Sequence, residues 1–149
     1  MSFYDLIDTN KTVALAKKVL IEYSRFLKII SNALYDLDIN ERKTSMFSSG
    51  YTNPDTKMIW AINKKDRNYK ELKAYIFEIQ KCINTLSLPQ IELINLKYVE
   101  CLTIKEIAER LSNEQIVVSE RQVNRKLKAC YIDFGIAYGI YVIKEKKVI

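Results

Sequence analysis

Three glycines (Gly50, Gly135, Gly139) and two prolines (Pro54, Pro89) in 149 residues narrow this chain's options more than any other feature. Tight turns draw heavily on those two residue types, so a chain this poor in them cannot fold as a sandwich of many short strands. With 48% hydrophobic residues to bury, it suits long helices joined by few turns. The same scarcity excludes a glycine-rich phosphate loop and a dinucleotide-binding fingerprint. A chain of this length makes one domain, or one domain with an appendage, and buries a core without disulfide or metal staples.

Other classes fall on composition. There is no histidine, so Ser-His-Asp and Cys-His nucleophile systems and imidazole metal sites are absent. Cys82, Cys101 and Cys130 are widely spaced and odd in number, which points to reduced, packed thiols rather than a disulfide framework or a zinc site. The start, MSFYDLIDTNK, lacks the basic-then-apolar run of a signal peptide. The longest apolar stretch, Cys130 to Ile143, is fourteen residues and is interrupted by Asp133, too short to span a bilayer. The expectation is a cytoplasmic, non-enzymatic protein that needs no cofactor. Net charge is +6, which favours an anionic partner without identifying one.

Periodicity divides the chain. Val13, Ala16, Leu20, Tyr23, Leu27, Ile30, Leu34 and Leu37 keep an unbroken 3-4 spacing, flanked by Leu15, Val19, Phe26, Ile29 and Ala33. That broad face predicts a long helix that packs within the chain or serves as a self-association seam. Residues 38–53 lose the pattern and read as a linker, so the expected division is 1–52 and 53–149. Asn53-Pro54-Asp55 reads as a helix start for a short helix ending in the charged cluster 63–68, with Trp60 as a core anchor. A further amphipathic helix is expected over 69–86, from Leu72, Tyr75, Ile76, Ile79, Cys82, Ile83 and Leu86. Ile116 to Val118 is the one candidate strand.

Residues 87–134 carry three helix starts in close succession. Ser87-Leu88-Pro89-Gln90, Thr103-Ile104-Lys105-Glu106 and Ser119-Glu120-Arg121-Gln122 each place a hydroxyl three residues before Glu or Gln, the capping-box signature. Three short helices follow, over about 89–99, 103–111 and 119–134, a helix-turn-helix arrangement. On the third, Val123, Leu127, Cys130, Tyr131 and Phe134 make an apolar face, and Arg121, Arg125 and Lys128 lie opposite it. From Ser119 to Ile132 there are four basic residues (Arg121, Arg125, Lys126, Lys128) against Glu120 alone, whereas Glu92 to Glu114 holds three against five acids. Positive charge thus concentrates on the helix that would enter a groove, beside Gln122 and Asn124, side-chain types suited to base edges. A basic stripe can equally be a solvated face; its position after two capped helices favours nucleic acid.

The run LSLPQIELINLKYVECLTIKEIAERL, followed by SERQVNRKLKAC, resembles region 4 of sigma-70-type factors. Within that superfamily it is most similar to small phage and prophage transcription regulators of the ArpU and RinA type. The resemblance covers about 53–134, from the NPD-initiated helix through T-x-x-E-I-A, and no sigma region 2 accompanies it. It implies a helical bundle ending in a helix-turn-helix that binds double-stranded DNA; with the long N-terminal helix, which lies outside the resemblance, the expected fold is all-α. By the same resemblance, Glu120, Arg121, Gln122, Asn124 and Arg125 would face the bases, and Thr103 and Ser119 with Lys105, Lys126 and Lys128 the phosphates. One departure concerns the seven residues 112–118 before the third cap, where the family usually has two or three. Either the turn is longer, or Ile116 to Val118 packs beneath the third helix. The competing expectation is a protein-interaction module that docks on RNA polymerase. A homodimer could form through Val13 to Leu37 or the C-terminal tail, where Gly135-x-x-x-Gly139 would allow close helix approach.

Overall fold

The computed structural model describes residues 2–47 and 54–145, with side chains placed at 2–32 and 69–145. The described chain is all-α. A single turn, α1 (Phe3–Leu6), precedes the long helix α2 (Thr9–Phe47), and α3 (Pro54–Ile83) returns. Then come α4 (Leu88–Ile94), a π-helical turn (Asn95–Val99), α5 (Ile104–Leu111) and α6 (Glu120–Tyr138). No strand forms among the described residues; an isolated antiparallel bridge joins Ile7 to Ile143.

Two expectations are corrected. Helix α2 runs on to Phe47 through residues read as linker, and only 48–53 of that segment, the Asn53 cap included, lie outside the described residues. The short helix, charged cluster and following helix of the reading are one continuous helix, α3. Both stretches are rich in Glu, Lys, Arg, Asp and Asn. A helix can continue where its apolar stripe stops, so in the sequence the loss of the stripe mimics a break. The proposed core role of Trp60 falls on side chains outside the described set.

The chain forms two compact units, residues 1–24 with 79–149 and residues 25–78. In the second, Phe26 of α2 meets Tyr75 of α3 edge to face at 5.4 Å, and Ile76 is buried. Among the described residues, most buried side chains belong to the first unit. Ile7, Ala16, Leu20 and Tyr23 are buried from the N-terminal side. They share this core with Ile79, Ile83, Leu93, Ile94, Leu96, Tyr98, Ile107, Ala108, Val123, Leu127, Cys130, Tyr131 and Phe134. Of the expected packed cysteines only Cys130 is buried; Cys101 is exposed, because it forms the left-handed corner (φ 59°) between the π turn and α5. Burial pushes the Cys130 thiol up to about 12, with the Asp133 charge adding to the effect.

The tail folds back onto its own chain. Gly139 ends α6 at φ 84°, with the Ile140 amide returning to the Gly135 carbonyl at 2.9 Å. Beyond it, the Val142 amide donates to Thr12 Oγ1 at 3.1 Å, and the Lys144 amide to the Leu6 carbonyl at 2.9 Å. Gly135 is a close approach rather than a cap: a Cβ there would lie 2.8 Å from Thr12 Cγ2.

Candidate nucleic-acid interface

Two capped helices and the connection between them form the site. Thr103 caps α5: its Oγ1 accepts from the Glu106 amide at 3.2 Å, and Glu106 Oε1 accepts from the Thr103 amide at 3.2 Å. Those bonds, the backbone one foremost, hold the Glu106 carboxyl below its ordinary value of 4.5. Ser119 caps α6 in the same way, its Oγ accepting from the Gln122 amide at 3.2 Å while Gln122 Oε1 accepts from the Ser119 amide at 2.9 Å. The helices pack against each other, with Ile107 and Ala108 buried on α5 and Val123 and Leu127 on α6.

Residues 112–118 resolve the alternatives left by the long connection. Asn113 Oδ1 accepts from the amides of Gln115 and Ile116 at 2.9 and 2.7 Å, and Ser112 Oγ accepts from the Val118 amide at 2.9 Å. The segment is a self-bonded turn whose Ile116 and Val117 are 60% and 83% exposed, so these two do not pack beneath α6, while Val118 is half-buried.

Every residue expected to touch DNA is exposed: Thr103 and Lys105 at the start of α5, Ser119 at the cap of α6, and Glu120, Arg121, Gln122, Asn124, Arg125, Lys126 and Lys128 along its first half. They do not all share one face. At 100° per residue Arg121, Arg125 and Lys128 form one row, with Asn124 roughly 70° to one side and Gln122 roughly 90° to the other. Lys126 stands roughly 130° away from that row. Gln122 is also tied down, since its carboxamide oxygen belongs to the cap. None of Arg121, Arg125, Lys126 and Lys128 makes an ion pair among the described residues, whereas Arg110 sits 3.6 Å from Glu100.

Contacts to the second half of α6 hold it in place. The hydroxyls of Tyr98 and Tyr131 bond at 2.6 Å in the core, and burial raises both phenols above their ordinary values, so both stay protonated. Asp133 accepts from Gln90 Nε2 at 2.7 Å and from the Tyr4 hydroxyl. The sequence reading missed these partners. Their spacing along the chain is too long for any local pattern to signal them.

A capped helix, a turn and a second capped helix with an exposed basic row make a helix-turn-helix arrangement. Residues 76–128, a little over a third of the chain, match the family described as Sigma-70, region 4, a non-enzymatic DNA-binding type. Comparison with curated proteins and with solved structures found no match. Among the described residues no helix is long and apolar enough to cross a membrane, and no cluster of His, Cys, Asp and Glu could hold a metal ion.

Proposed function

We propose that this chain is a sequence-specific transcription regulator of phage or prophage genes that places the first half of α6 in the major groove of double-stranded DNA. One observation carries the reading: the row Arg121, Arg125 and Lys128 is exposed, and unpaired among the described residues, on a helix whose opposite side, Val123 and Leu127, is buried. Uncommitted cations need break no internal bond to meet phosphates or guanine edges. In this arrangement Arg121 and Arg125, with Asn124, read bases, and Glu120 and Gln122 contact them from the flanks. Thr103, Lys105, Ser119, Lys126 and Lys128 meet phosphates. The phage assignment rests on the likeness of 53–134 to regulators of the ArpU and RinA type.

The test is selection of bound fragments from genomic DNA, followed by titration of the recovered site in a gel shift at fixed salt. Arg125→Ala should weaken that complex by about 1–3 kcal/mol, roughly 5- to 150-fold, with helicity unchanged by circular dichroism. Unaltered affinity would sink the assignment of Arg125. If wild-type protein binds RNA polymerase but no duplex, the interaction-module reading replaces this one.

A further inference from the structure

We infer that Lys17, on the N-terminal helix, is a phosphate contact that extends the DNA-binding face beyond α6. The inference rests on the reading above and adds a residue outside the matched region 76–128.

The N-terminal half of α2 lies along the second half of α6. Thr12 Cγ2 abuts Gly135, and the Lys17 ammonium sits 5.5 Å from the centre of the Tyr131 ring. On the wheel of α6, Gly135 lies roughly 50° and Tyr131 roughly 90° from the axis of the Arg121–Arg125–Lys128 row. Helix α2 therefore approaches α6 on a flank of its basic side. The stretch it leaves free, Glu120 to Lys128, is about 12 Å long, close to the width of the major groove. Where that stretch ends, a groove wall of phosphates begins, and there Lys17 stands.

Its chemistry fits. Lys17 is exposed and makes no ion pair among the described residues. An aromatic face engages an ammonium from one side only, leaving N–H donors for a phosphate oxygen. The ring also restricts the side chain, so less freedom is lost on binding than for a free lysine. Its neighbour Lys18 is exposed too, but lies roughly 155° from the buried line Thr12, Ala16, Leu20 and Tyr23, facing away from the core.

The experiment measures the affinity of the full chain for a fluorescein-labelled mixed-sequence duplex across a salt series. Each phosphate contact contributes about 0.9 to the slope of log affinity against log salt. Lys17→Ala and Lys17→Gln should each make the slope shallower by about that amount, Lys17→Arg should restore it, and Lys18→Ala should leave it alone. A wild-type slope in Lys17→Ala, even with a lowered melting temperature, overturns the inference and leaves Lys17 as packing on Tyr131. So does an equal loss in Lys18→Ala, which would reflect net charge only. If Lys17→Ala does not fold, Lys17→Gln, which keeps most of the stem, decides. Failure of the parent reading looks different: wild-type protein then shows no salt-dependent duplex binding at all.

Discussion

Ser119 serves two demands that substitution can separate. Its hydroxyl closes the first turn of α6, and the proposed interface also places it against a phosphate. Ser119→Ala should cost about 0.5–2 kcal/mol of stability, read as a lowered urea midpoint. Ser119→Asp keeps a good cap and adds a negative charge, so stability should hold while duplex affinity falls. Glu106 gives a pH signature. Its carboxyl titrates below 4.5 in the folded chain, so its contribution is complete above the unfolded value and is lost as pH drops through the folded one. The urea midpoint of the wild type should fall over that acidic window. Glu106→Gln should flatten this part of the profile, and an identical profile in the variant would remove Glu106 as its source. Residues of this kind were legible from sequence because a cap and its partner sit three positions apart. Tyr98 with Tyr131, and Gln90 with Asp133, were not, since nothing in either neighbourhood announces its distant partner.

At the level of elements, stretches with an apolar stripe reveal themselves and stretches without one do not. Leu93, Ile107, Val123 and Leu127 mark the inner faces of α4, α5 and α6 in the sequence and are buried in the structure. Residues 38–47 of α2 and 63–68 of α3, rich in charged and polar types, carry no such mark in the sequence. The π turn at Asn95–Val99 likewise follows no pattern of apolar spacing. The Gly135-x-x-x-Gly139 pair joins two unrelated devices: Gly139 takes a left-handed backbone to end α6, and Gly135 admits Thr12. Gly135→Ala gains roughly 1 kcal/mol of helix propensity. The added methyl, 2.8 Å from Thr12 Cγ2, should more than offset that, with overpacking of about 1–3 kcal/mol. Thr12→Ser removes the obstructing methyl and keeps the oxygen that accepts from Val142. Combined with Gly135→Ala it should recover stability beyond the sum of the single effects, and simple additivity in denaturant melts would refute the contact.

For the whole molecule, the unit that holds the helix-turn-helix is discontinuous in sequence, uniting residues 1–24 with 79–149. The sequence predicts that the first long helix packs within the chain or self-associates, but nothing in a 3-4 repeat says which neighbour will cover it. Ile7, Ala16, Leu20 and Tyr23 are core residues, so a fragment of 76–145 should lose the cooperative thermal transition and near-ultraviolet aromatic signal of the full chain. A fragment that melts as sharply as the full chain would show the N-terminal segment to be dispensable. The bonds between the ends also bear on timing. Val142 reaches Thr12 across 130 residues of chain. At synthesis rates of about 5–20 residues per second, roughly ten seconds separate the emergence of one partner from that of the other. For that interval the bond has no donor, and this discontinuous unit cannot complete its fold until Val142 has left the ribosome.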